Sequence, residues 1–230
     1  MVNDPHIKTT VGNSAQRKTL RRFDLERNEM IDLLRKRGIT DERLLRAMSV
    51  VDRHEFVQDA FVDRGYEDSA LPIGYSQTIS QPYTVAYMTE CLEVEKGDKI
   101  LEIGTGSGYQ AVILAEMGAR VFTVERHMEL LNQARKAFDK FGYHIASKCG
   151  DGTLGWNEFA PYDGIIVTAG APEVPKSFLD QIANGGIIVI PIGDIEIQSL
   201  HVIKRLGGKY ETEEFPGFKF VPLVGKMGWK

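Results

Sequence analysis

The chain has 230 residues, 43% of them hydrophobic and 26% charged, with 32 acidic against 28 basic side chains and a formal net charge of −4. That length and composition suit a soluble globular protein with one substantial core. The acidic balance offers no global attraction to a phosphate backbone, no apolar run approaches the roughly 18 residues of a membrane helix, and Met1-Val-Asn-Asp-Pro5-His6 carries no apolar leader. Nucleic-acid and membrane partners are therefore not expected. Cys91 and Cys149 are too few for a disulfide framework and are expected as buried thiols in a reducing cytosol, which places the protein in the cytoplasm.

Residues 1–22 lack an apolar period and read as a flexible arm ahead of a single domain over 23–230. Helical patterning starts near Asp24, with Leu25, Met30, Ile31, Leu33 and Leu34 on one side and Gly38 as the stop. Thr40 is placed to cap a second helix whose Leu44, Leu45 and Met48 face inward. Short helical turns are expected around Phe56, Val57 and Phe61. Residues 71–83 hold too many turn formers and hydroxyls for a core element, and Pro82 suits the first turn of a helix to about Leu92.

From residue 99 strands and helices alternate. Strand 99–103 leads to helix 108–117, strand 120–125 to helix 128–141, and strands 144–149 and 163–168 precede helix 175–183 and strand 186–192. The strands are near-continuous apolar runs, as in a parallel sheet covered on both faces. Two β-like stretches, 198–206 and 210–221, meet across Gly207-Gly208 and should form an antiparallel end. The expected fold is α/β, a doubly wound, mostly parallel seven-stranded sheet with an N-terminal helical cover.

The first strand of that series runs into Gly104-Thr105-Gly106-Ser107-Gly108. Such a turn normally readies a helix N-terminus for a pyrophosphate. Here Glu102 precedes the first glycine by two residues, where its charge would oppose phosphate, and Tyr109 stands where Gly-x-Gly-x-x-Gly ends in glycine. A cationic, phosphate-free nucleoside fits better, and S-adenosylmethionine is the obvious one. Glu125 ends the second strand roughly twenty residues after Gly104, the spacing of an acid that accepts from both ribose hydroxyls. Asp151-Gly152 follows the third strand, where the acid could accept from an adenine amino group and the glycine would let the base approach. Each acid alone could be a surface charge or a helix cap; three at successive strand ends point to nucleoside binding. The five histidines lack ligand-like spacing, so no metal is expected.

The stretches Leu71-Pro-Ile-Gly74, Gln77-Thr-Ile-Ser-Gln-Pro82, Leu101-Glu-Ile-Gly-Thr-Gly-Ser-Gly-Tyr-Gln110, Thr123-Val-Glu-Arg126, Gly150-Asp-Gly152, Ala160-Pro-Tyr-Asp163 and Phe220-Val-Pro-Leu223 resemble, in order, those of the protein-L-isoaspartate O-methyltransferase family. The resemblance covers about residues 24–225, and its Thr-Ile-Ser segment is specific to that family. It implies a Rossmann-like class I methyltransferase that moves a methyl from S-adenosylmethionine to the free α-carboxylate of isoaspartyl residues in damaged proteins and peptides. The products would be S-adenosyl-L-homocysteine and a methyl ester that starts repair towards aspartate. Ser80 takes the place of the family's active-site serine. Gln77, Thr78 and Ile79 would line the methionine end of the cofactor, and Gly104, Thr105, Gly106 and Arg126 complete the cofactor set with Glu102, Glu125, Asp151 and Gly152.

An α-carboxylate with a pKa near ~3.5 is already ionised at neutral pH, so the acceptor needs no general base. Alignment and exclusion of water remain for the protein, and oriented pairs gain roughly 7–11 kcal/mol at most. Neutral donors suit a carboxylate that must stay nucleophilic, and Ser80 lies just ahead of a helix N-terminus. Three readings compete: an NAD-dependent oxidoreductase, a methyltransferase for RNA or small molecules, and a non-catalytic nucleoside sensor. The missing third glycine counts against the first, the acidic balance and the lack of an Asn-Pro-Pro-Tyr motif against the second, and the Thr-Ile-Ser segment against the third.

Overall fold

The computed structural model describes residues 14–230, with side chains from Arg21 onward. Most of the expected arm, residues 1–13, lies outside the described residues. Helix α1 spans Ser14–Lys36 and so starts well upstream of Asp24. Its first turns are rich in Ala, Gln, Lys, Arg and Leu, which favour helix without an apolar period. Phe23, Met30, Ile31 and Leu34 are buried, but Leu25 is 64% and Leu33 39% exposed, against expectation. Both leucines fall off the stripe set by positions 23, 27, 30, 31 and 34.

Helix α2, Glu42–Val50, is capped by Asp41, whose side chain accepts from the Arg43 and Leu44 amides. Thr40, the expected cap, instead gives its amide and hydroxyl to Glu90 Oε1, tying the cover to the next helix. Two 3-10 turns, Arg53–Phe56 and Asp59–Arg64, follow. Residues 71–79 form a hairpin of β1 (Leu71–Gly74) and β2 (Gln77–Ile79), with Leu71, Ile73 and Ile79 buried. The turn residues are real, but they sit at the tip, where Tyr75 and Ser76 adopt left-handed φ of 53° and 55°. Helix α3, Pro82–Cys91, opens with Pro82 in its first turn, as expected.

The main sheet has β3 (Lys99–Ile103), β4 (Arg120–Glu125), β5 (Ala146–Cys149), β6 (Tyr162–Val167), β7 (Ile182–Gly193), β8 (Gln198–Leu206) and β9 (Lys209–Phe218). Their order is β5-β4-β3-β6-β7-β8-β9. The first five strands are mutually parallel and the β7–β8 and β8–β9 pairings antiparallel, so the doubly wound, mostly parallel reading holds. Helices α4 (Tyr109–Glu116), α5 (Met128–Phe141) and α6 (Lys176–Gln181) complete the alternation. Along β3 the pleat sends Ile100 to one buried cluster and Leu101 and Ile103 to the other, which is why the strand reads as an apolar run.

Two boundaries differ in an instructive way. β7 begins at Ile182, inside the expected helix, because Ile182 pairs with Tyr162 before a bulge restores register at Gly164 and Ile187. β9 stops at Phe218 instead of 221. The chain beyond it runs back beside β6, where the Leu223 amide donates to Gly170 O and the Gly170 amide to Val221 O. Pro222 sits in this parallel bridge to Gly170, whose bonds run through Val221 O and the Leu223 amide and need no N–H from proline.

Candidate active site

The sheet reverses its strand order between β3 and β6, and a cleft opens at their carboxyl ends. The β2 residues and Ser80, the glycine turn and residues 221–224 line it together. The tip of the β1–β2 hairpin reaches the end of β4, with the Tyr75 and His127 ring centres 5.5 Å apart.

The turn after β3 depends on glycine for two reasons. Gly104 has φ +99°, and a Cβ there would lie 2.4 Å from Thr168 Oγ1. Thr168, at the end of β6, donates its hydroxyl to Gly104 O at 2.7 Å and so pins the turn across the switch point. On the far side the Gly106 amide donates to Glu125 Oε2 at 2.9 Å. Gly152 is likewise required by crowding, since a Cβ would meet Ile103 Cγ2 at 2.7 Å. Gly104, Thr105, Gly106 and Gly152 all line the cleft.

The three acids behave differently from one another. Glu102 lines the cleft yet is 0% exposed; Oε2 accepts from the Thr123 hydroxyl, while Oε1 has no partner. Thr105 and Thr123 hydroxyls lie 2.6 Å apart and extend this chain into the glycine turn. Burial pushes the Glu102 carboxyl up to about 8, with Thr123 opposing and Glu125 adding to the rise. In the ligand-free fold, burial thus favours the protonated form of Glu102 near neutrality. Glu125 is buried with each oxygen accepting one amide, Gly106 on Oε2 and His127 on Oε1 at 2.9 Å. One acceptor site per oxygen remains for two hydroxyls.

Asp151 stands apart. It caps the 3-10 turn Gly152–Leu154 by accepting the Thr153 amide and hydroxyl on Oδ1 at 2.9 and 2.6 Å. Its Oδ2 accepts the Lys226 amide at 2.8 Å. Burial works against its ionisation, but the bonds from Thr153 and Lys226 outweigh it and hold the carboxyl below its ordinary range. Asp151 is not among the cleft-lining residues, and its bond to the Lys226 amide ties it to the C-terminal segment.

Gln77, Thr78, Ile79 and Ser80 line the cleft together, and Arg126 lines it from the end of β4 as an exposed side chain. The N-cap of α3 is Gln81, so Ser80 is not spent as a helix cap. Sequence reasoning gave no role to Thr168, Val221, Leu223 or Val224, all of which line the cleft. Thr168 was within reach: a ligand crevice is bordered by both strands at the order reversal, and it ends the second of them. Among the described residues no cluster of three or more His, Cys, Asp or Glu lies in metal-binding proximity, and no helix is long and apolar enough to cross a membrane.

Residues 25–228 match the family model described as protein-L-isoaspartate(D-aspartate) O-methyltransferase. Protein-L-isoaspartate O-methyltransferase of Salinibacter ruber is 53% identical over 215 residues, covering 89% of this chain and 94% of that protein. The enzyme of that name from Chlorobaculum tepidum is 52% identical over 205 residues, covering 89% and 96%. A solved structure of the same name superposes with a TM-score of 0.80 at 28% identity, covering 88% of this chain and 67% of the other. A Plasmodium falciparum structure that bears this enzyme name and holds S-adenosyl-L-homocysteine shares the fold, with a TM-score of 0.76 at 24% identity over 86% and 98%.

Proposed function

The chain belongs to the protein-L-isoaspartate(D-aspartate) O-methyltransferase family, and from that membership we propose how its cleft performs the reaction. The protein is an S-adenosylmethionine-dependent carboxyl O-methyltransferase that esterifies isoaspartyl residues in damaged proteins and peptides. The bound cofactor supplies a methyl activated on a sulfonium. The donor set suits that group: the unpartnered Glu102 Oε1 offers an anionic site once ionised, and the Gly104–Gly106 turn leaves room for backbone approach.

Each residue then has a task. Glu125 accepts from the ribose hydroxyls through its two free acceptor sites. Gln77, Thr78 and Ile79 enclose the methionine end, Thr105 and Gly106 support the cofactor from the floor, and Arg126 and Gly152 border the nucleoside side. Asp151 acts at one remove, holding residues 223–229 in place as a wall. Ser80 presents its hydroxyl to the acceptor carboxylate. As a neutral donor it orients the oxygen without removing its charge, which a cationic partner would do. The attacking oxygen is ionised before it arrives, so no side chain takes a proton from it.

The observation carrying this reading is that Ser80 and Glu102 line one cleft at the switch point. The two free cysteines fit a reducing compartment, so we place the protein in the cytoplasm. The test is transfer of labelled methyl to an isoaspartyl peptide beside its aspartyl twin. Label on the isoaspartyl peptide alone is expected; equal labelling of both would refute the substrate assignment.

A further inference from the structure

Arg53 heads the fully buried side chains by size. It lies in the 3-10 turn 53–56 of the helical cover, far in sequence from the glycine turn. Its Nε donates to Gly65 O at 2.9 Å and its Nη2 to the Ser80 carbonyl at 2.7 Å. The guanidinium carbon sits 4.9 Å from the centre of the Tyr109 ring, on the helix that follows the glycine turn. Among the described residues no carboxylate bonds it. Asp68, whose field reaches it, has one oxygen on the Tyr83 amide and the other on Arg37. Among the described residues Nη1 and the Tyr109 phenol have no well-formed hydrogen bond, although the two buried groups lie close enough to interact with each other. A buried guanidinium stays protonated and is strongly disfavoured when unpaired, so shape alone is a poor reason to keep one.

We propose that Arg53 is a positioning residue for the acceptor: its bond to the Ser80 carbonyl holds the segment that presents the Ser80 hydroxyl. The inference rests on the carboxyl-methyltransferase reading above. A packing role alone would lower stability without singling out the acceptor.

The test uses full-length Arg53→Met and Arg53→Lys, with isoaspartyl-peptide kinetics, S-adenosyl-L-homocysteine calorimetry and thermal melting. The Met variant is expected to lose ~100-fold in kcat/KM for the peptide, as when one fixed polar donor is removed. The Lys variant, keeping charge but unable to span both carbonyls, should lose about tenfold. Affinity for the cofactor product should stay within about threefold of wild type in both, well inside the effect sought. Equal losses in the two variants, wild-type kinetics, or a matching fall in product affinity would overturn the proposal. If Arg53→Met does not fold, Arg53→Lys decides by the same comparison: a tenfold loss at unchanged product affinity supports it, and anything else overturns it. Wild-type protein inactive on the peptide would sink the methyltransferase reading and this inference with it; an active wild type with indifferent variants sinks the inference alone.

Discussion

Glu102→Gln should make the ligand-free protein more stable relative to wild type as pH rises. The buried carboxyl titrates at about 8 against an ordinary 4.5 because burial penalises its charged form. The folded chain therefore keeps a proton that the unfolded chain has released. A carboxyl shifted upward contributes its full stability below the unfolded pKa and loses it as pH climbs through the folded one. At about 1.4 kcal/mol per pH unit the whole interval corresponds to about 5 kcal/mol, of which about 3–4 kcal/mol falls between pH 5 and 8. Glutamine has the same shape and no proton to lose. Denaturant unfolding of both proteins at several pH values from 5 to 9 isolates this group, because every other titration is common to the pair. The wild-type minus variant stability should fall by several kcal/mol over the interval and level off above about pH 8. A difference that stays flat from pH 5 to 9 would show that Glu102 is ionised in the fold and would refute the account of how it meets a cation.

Ser80→Ala should bind S-adenosyl-L-homocysteine as wild type does and lose turnover by ~10² or more; normal turnover removes Ser80 from the chemistry. Glu125→Ala should weaken cofactor-product binding by at least about tenfold, since two hydrogen bonds to a charged acceptor are at stake, and calorimetry showing unchanged affinity would contradict the ribose assignment. Gly104→Ala places a methyl 2.4 Å from Thr168 Oγ1 at a φ of +99°; melting should report about 1–3 kcal/mol of lost stability, with the loss relieved in part by Thr168→Ala. Asp151→Ala should speed amide exchange at Lys226 and Met227, which it and Thr153 now hold. Unchanged exchange together with lost nucleoside affinity would return Asp151 to a direct adenine contact.

Much of the molecule was legible before any coordinates. The alternation of apolar runs and helices from residue 99, the Gly207-Gly208 hairpin and the strand-end placement of Glu102 and Glu125 all follow from local pattern, because strand and helix periods and turn chemistry are written within a few residues. The same holds for Pro82 at the head of α3 and for the glycines of the turn. These features need only the chain's neighbours along the sequence, and the family motifs run through the same stretches.

The rest required distant parts of the chain to meet. Thr40 yields its capping role because Glu90 comes within reach, and β7 starts early because Tyr162 offers Ile182 a partner. Asp151 meets an amide 75 positions away, and Arg53 reaches Ser80 across 27. The charge of Glu102 is the clearest case: its position follows from the strand pattern, but its protonation follows from the removal of water around it, and desolvation is a property of the packed whole.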